Sequence, residues 1–409
     1  MRILTIQAAY FPMIGGAEVF HQKTAEWLGR NGHQGDVVTC IWDKPDIPWK
    51  NWLKKKEIIN GVTVYRVKPW FYQRYLKSIG AIWPLYQKSL QLIEDGSRLA
   101  HLHPEDPPAG GDEGSHKNYD LIHAHIFPAL IVGALLKKKT ALPLITTIQG
   151  GDVADYSETG SKLGLILKPI ISWSLKQTNL VHTVSTHMEN SVKKLGVTNT
   201  KVIPNGVDTL LFKPRNKKKL RTKYEIPNTK YVIISHSRLT PKNGLDILIR
   251  AIYNLTDKKQ ILVLLVGGGE QEQELRELVI SLKLTQQIKF LGYKNRRVTA
   301  ELLSLSDLFV RPSREEGFGI AFIEAMASGL PVIGTSIGGI TGIINNGETG
   351  LLVAKSSSVL LEKMMNRLLN DRPLCSKLGN AARREVESKY NWGVVARQLD
   401  SLYSSSVNK

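Results

Sequence analysis

Two glutamates with seven residues between them, Glu316 and Glu324, flank a glycine turn in Pro312-Ser313-Arg314-Glu315-Glu316-Gly317-Phe318-Gly319-Ile320 and the apolar run that follows it. The turn comes after a strand-like stretch, Leu308–Arg311, and opens a helix expected to stop at Gly329. Glycines between a strand and a helix let backbone N–H groups approach a phosphate, and the helix dipole favours its charge. Glu316 on the loop and Glu324 on the helix can serve one site, where carboxylates would accept hydrogen bonds from sugar and ribose hydroxyls. Taken alone, the segment reads equally well as a helix start with an acidic first turn. A second turn of this kind is Ser237-Arg238-Leu239-Thr240-Pro241-Lys242-Asn243-Gly244. Arg238 and Lys242 there suit the neutralisation of a departing diphosphate. Gly267-Gly268-Gly269-Glu270 closes the next strand, as a pyrophosphate or base contact or simply as a tight turn.

His123-Ala124-His125 ends an earlier strand. The two rings are expected on opposite faces, with His125 towards the site as a catalytic candidate and His123 structural. His101, His103 and His116 fall in a Pro/Gly-rich segment, Glu94–Asn118, expected to be an exposed loop in which nothing fixes metal-ligand spacing. No Asp-x-Asp pair occurs, and no metal site is expected.

These residues need elements to hold them. Apolar runs alternate with helix-period segments along the whole chain, the pattern of parallel sheets covered on both faces. Strands are expected at Ile3–Ala8, Val37–Ile41, Val62–Val67, Leu121–Ala124, Leu144–Ile148, Leu180–Val184 and Lys201–Ile203, with a helix at Gly16–Asn31. After the basic stretch Phe212–Lys219 the pattern restarts, with strands at Tyr231–Ser235, Ile261–Val266, Ile288–Leu291, Leu308–Arg311 and Val332–Thr335. The expected fold is α/β, with two Rossmann-like doubly wound domains, residues 1–215 and 216–390, facing a central cleft. A last helix in 391–409 would pack back on the first domain. In such sheets ligands bind at the carboxyl ends of the strands.

The chain has 409 residues, long enough for two cores, and a net charge of +19. Two distant cysteines, Cys40 and Cys375, give no disulfide framework. With no export signal and no apolar run of the ~20 residues that span a bilayer, a cytoplasmic location is expected, peripheral at the inner membrane face if membrane-bound. Between Lys44 and Ile93 ten Lys/Arg face two acids, Asp46 and Glu57, among Trp49, Trp52, Trp70, Trp83 and Tyr86. That mixture suits an anionic membrane surface, with Pro84–Ile93 as an amphipathic helix presenting Leu85, Tyr86, Leu90 and Ile93. A solvated basic face over aromatic core residues explains it as well. No nucleic-acid partner is expected.

The segment 312–332 as a whole resembles the signature of glycosyltransferase family 4, retaining enzymes of the GT-B fold. Gly15-Gly16-Ala17-Glu18, Ile203-Pro204-Asn205-Gly206-Val207-Asp208, Gly338-Gly339 and Gly350-Leu351-Leu352-Val353 extend the resemblance over nearly the whole chain. It implies that Glu324 binds the ribose of a nucleotide-diphosphate sugar. It also implies that Glu316 and the backbone of Gly317, Phe318, Gly319 and Ile320 hold the donor sugar and diphosphate, assisted by Gly15 and Gly16; Gly267 joins the donor side only by its place at a strand end. The family's arginine maps onto Arg238. Its lysine normally stands directly before the glycine, where this chain has Asn243, so that Lys242 sits one residue early. A histidine of many members is replaced by Gln149, which hydrogen-bonds a hydroxyl but does not titrate. Gln149, Gly150 and Asp152 are placed on the acceptor side.

The implied reaction is metal-independent transfer of a hexose, with retention, to a saccharide or lipid-linked acceptor, and no cofactor beyond the donor substrate. Two alternatives are a nucleotide-sugar epimerase of the same fold and a non-catalytic nucleotide- or sugar-binding protein. A dinucleotide oxidoreductase is disfavoured, because Tyr10–Gly16 lacks the Gly-x-Gly-x-x-Gly turn.

Overall fold

The structure, a computed structural model, describes residues 1–10, 16–41, 54–70, 77–100, 119–150, 162–226 and 231–407. The chain forms two compact units, one of residues 1–203 with 396–409 and one of residues 204–395.

The first unit is built on eight strands: β1 (Arg2–Gln7), β2 (Gln34–Cys40), β3 (Lys56–Ile59), β4 (Val62–Val67), β5 (Leu121–His125), β6 (Leu144–Ile148), β7 (Leu180–Thr183) and β8 (Thr200–Val202). They lie in the order β3-β4-β2-β1-β5-β6-β7-β8, and every pair is parallel except β3 with β4. The short edge strand β3 escapes the sequence pattern because its side chains alternate between half-buried and exposed. All five residues of β5 and of β6 are buried, as expected of a parallel sheet covered on both faces.

The second unit has β9 (Tyr231–His236), β10 (Ile261–Val266), β11 (Ile288–Gly292), β12 (Leu308–Arg311), β13 (Val332–Thr335) and β14 (Leu351–Val353), in the order β11-β10-β9-β12-β13-β14 and all parallel. Strand β10 is apolar throughout and fully buried, and the helix Leu245–Asn254 packs its Leu245, Leu248, Ile249 and Ile252 into the same core. The connections run outward in opposite directions from β9 and β12, so the carboxyl ends of those two strands form a topological switch point.

The change of unit falls at Ile203/Pro204, ahead of the sequence restart near residue 215. The intervening segment is tied to the second unit. Phe212 is fully buried, Val207 N donates to Tyr390 O at 2.7 Å, and Arg383 donates to the carbonyls of Phe212 and Thr209. The last helix, Trp392–Val407, returns to the first unit from Ala396 onward, where Tyr403 is fully buried.

Two expectations need correction. The segment 94–118 does not begin as a loop, because the helix Ile82–Ala100 runs through Glu94, and residues 101–118 lie outside the described residues. That helix also keeps the apolar face assigned to a membrane for itself. Leu85 and Ile93 are buried in the core with Leu92, and Tyr86 and Leu90 pack against them.

Candidate active site at the carboxyl edge of the second sheet

Four loops stack at the carboxyl edge of the second unit. Strand β9 ends in His236 and leads into Ser237–Gly244, strand β10 into Gly267–Gly269, strand β12 into Pro312–Gly319 and strand β13 into Gly338-Gly339. The first two lie backbone on backbone: Ser237 N donates to Val266 O and Leu239 N to Gly268 O, both at 3.0 Å. Gly267 has φ +130° and lies so close to Ser237 O that no Cβ fits. Arg314 N donates to Lys242 O at 2.6 Å, and the Arg314 guanidinium forks onto Asp246 at 2.8 and 2.7 Å, clasping the first loop to the third. Gly339 N donates to Glu316 O at 2.9 Å, which ties in the fourth.

Within this edge the two glutamates face different cations. Glu324, on the helix Ile320–Ala327, is 3% exposed. Arg296 Nη1, at the start of the helix Arg296–Leu305, lies 3.2 Å from its Oε1. His236 Nδ1 lies 3.5 Å from its Oε2, an electrostatic approach rather than a full hydrogen bond. Burial alone would raise the Glu324 carboxyl, yet Arg296, His236 and Arg311 together hold it below the usual carboxylate range. Glu316 stays on the loop, paired with Arg311 and accepting from Phe318 N at 3.3 Å.

Arg238 is exposed and Lys242 half-buried on the first loop, both available to an anion. Asn243, where the family pattern has lysine, is 5% exposed, and its amide donates inward to Arg238 O at 2.6 Å. Lys242, half-buried, is thus the lysine that this loop carries. Gly317, Phe318, Gly319 and Ile320 connect the two glutamates, with Gly319 at the helix N-cap.

In the first unit, Gly16 opens the helix Gly16–Arg30, while Gly15 and Asp152 lie outside the described residues. Gln149 and Gly150 follow β6, and Gln149 Nε2 has no hydrogen-bond partner among the described residues. His123 and His125 do not point to opposite faces. Residues i and i+2 of a strand share a face, and the two ring centroids are 3.7 Å apart. His21 lies 3.8 Å from His125, and His182 reaches Thr147 Oγ1 at 2.9 Å, the hydroxyl that His123 Nε2 meets at 2.7 Å. Tyr403 OH reaches His123 Nδ1 at 2.8 Å. All four histidines are buried, which holds His123 and His125 well below the usual imidazole range and brings His21 to about 3 and His182 to about 4.

Comparison with known proteins places this geometry. Residues 14–210 match the pattern described as Glycosyltransferase Family 4, and residues 216–385 that of Glycosyl transferases group 1. An uncharacterized glycosyltransferase of Methanocaldococcus jannaschii is 31% identical over 69% of this chain and 75% of its own length. The chain belongs to glycosyltransferase family 4. A second Methanocaldococcus jannaschii glycosyltransferase aligns over 100% of the chain and 99% of its own length at 28% identity. Among solved structures, Anabaena HepE, in complex with UDP and glucose, is similar with a TM-score of 0.77 at 25% identity, covering 99% of this chain and 100% of that one. The fold of this glycosyltransferase is accordingly GT-B.

Sequence reasoning missed three residues of the glycosyltransferase's edge: Arg296, Arg311 and His236. For Arg311 the signal was a charge closing an otherwise apolar strand, Leu308-Phe309-Val310. His236 ends β9 as Arg311 ends β12, so the switch-point rule would have found both. Arg296 carried no comparable signal, because nothing in a helix start announces its partner.

Proposed function

We propose that this glycosyltransferase moves a sugar, a hexose in the simplest case, from a nucleotide-diphosphate donor to the hydroxyl of a saccharide or lipid-linked acceptor. The observation that carries this reading is Glu324. It is a buried carboxylate held in place by Arg296 and His236, at a switch point where glycine loops present backbone N–H groups. In this reading the ribose hydroxyls donate to Glu324 and the donor sugar hydroxyls to Glu316. The diphosphate lies against the turn 317–319, with Arg238 and Lys242 neutralising the charge that grows as it leaves.

The anomeric carbon–oxygen bond breaks towards the diphosphate, and the acceptor oxygen bonds the anomeric carbon from the same face, which retains configuration. The acceptor proton passes to the departing phosphate oxygen. This assigns no proton to His125, whose buried neutral ring suits a structural place, and no metal, because Arg238 and Lys242 supply positive charge. Gln149, whose amide nitrogen has no partner among the described residues, suits an acceptor or donor hydroxyl. Trp70 and Trp83, 62% and 43% exposed with ring centroids 6.3 Å apart, support contact with an anionic membrane that presents the acceptor.

A thermal-shift series with UDP, GDP, ADP and their sugar conjugates tests the donor site, because a ligand of the native state raises Tm by mass action. One nucleotide series should stabilise the protein, and Glu324→Ala should abolish that shift. Equal shifts in both proteins would remove Glu324 from the site.

A further inference from the structure

Arg311 is a buried charge beside the site to which the proposed reaction gives no part. It closes β12 and is 5% exposed, and its guanidinium has three fixed neighbours. Its Nη2 pairs with Glu316 Oε2, its Nε donates to Ser313 Oγ at 3.1 Å, and Cζ lies 4.8 Å from the centroid of the Phe322 ring. Phe322 is itself fully buried and packs edge-on against Phe309. The cation is thus held on three sides, and a planar guanidinium held this way directs its charge and its N–H groups in set directions. Glu316 is the mobile partner by origin: it stands on a loop and its side chain is 20% exposed. Its two oxygens are nonetheless both engaged, Oε2 by Arg311 and Oε1 by Phe318 N.

We infer that Arg311 is a positioning residue, which fixes the Glu316 carboxylate so that it meets the hydroxyls of the donor sugar in one orientation. A carboxylate free to rotate on a loop would have to be ordered by each substrate at an entropic cost, and the buried guanidinium has removed that cost beforehand. The inference rests on the proposed contact between Glu316 and the donor sugar.

The test is isothermal titration of the full chain with UDP-glucose and UDP, and with GDP-mannose and GDP, using the pair that the wild type binds. The proteins are Arg311→Met, Arg311→Lys, Glu316→Gln and the Arg311→Met/Glu316→Gln double variant, with each unliganded Tm recorded. Arg311→Met should weaken the sugar nucleotide about tenfold, the scale of a lost charged hydrogen bond, and leave the diphosphate unchanged. Glu316→Gln should do the same, the double variant should be no worse than either, and Arg311→Lys should recover part of the loss. If Arg311→Met does not fold, Arg311→Lys carries the same cycle. Additive losses in the double variant, or equal weakening of diphosphate and sugar nucleotide, would overturn the inference and make Arg311 a support of the loop. A Glu316→Gln protein with unchanged preference, or a wild type that binds neither pair, would instead remove the donor contact and the inference with it.

Discussion

At Asn243 the chain departs from its family's pattern, and the structure gives the departure a physical sense. The amide spans its own loop to Arg238 O and is buried, so a side chain there shapes the loop, and in the proposed donor site Lys242 is left to meet the anion. Lys242→Ala should therefore weaken UDP or GDP binding in titration while leaving the unliganded Tm unchanged. Asn243→Ala should lower stability by about 0.5–1.5 kcal/mol, because the loop loses one hydrogen bond to Arg238 O, which keeps Thr240 N as its donor. The opposite pattern, a Tm loss in the first and a pure binding loss in the second, would return the phosphate role to position 243. At this scale Glu316, Glu324 and Arg238 could be read from the sequence as candidates because they sit in contiguous motifs. Arg296 and Arg311 were not, since each matters through a partner that only folding brings near.

At the scale of elements, periodicity located nearly every strand and said less about where each face goes. The helix Ile82–Ala100 has the amphipathic stripe of an interfacial helix, and the same stripe fills the core beside β2 and β4. Hydrophobic spacing reports burial but not its destination. Among the described residues, the exposed aromatic side chains of this region are Trp83 on the helix and Trp70 before it. Leu85→Ala should cost about 2–5 kcal/mol, seen as a fall of several degrees in Tm, and leave sedimentation with anionic vesicles intact per folded molecule. Trp70→Ala/Trp83→Ala should do the reverse, keeping Tm and losing sedimentation at low salt. Unchanged sedimentation in the double variant would place any membrane contact elsewhere.

For the whole molecule, the buried histidines should make the first unit sensitive to mild acid. Four imidazoles, His21, His123, His125 and His182, share one interior at the carboxyl ends of β5, β6 and β7, and burial lowers the pKa of all four. Their partners are hydroxyls, carbonyls and one another: Thr147, Tyr403 and Ile203 O. A histidine whose folded pKa lies below its unfolded value of about 6.5 favours the native state fully above that pH. As pH falls from 6.5 towards the folded values near 3 and 4, the unfolded chain takes up protons that the folded one refuses, and stability declines. For His182 alone the decline between pH 8 and pH 5 is about 2 kcal/mol. Urea unfolding followed by circular dichroism at both pH values should show the midpoint falling at pH 5. His21→Leu removes one of the titrating rings and breaks no hydrogen bond among the described residues, so it should make that fall smaller. Equal falls in the variant and the wild type would show that the acid sensitivity comes from elsewhere in the chain.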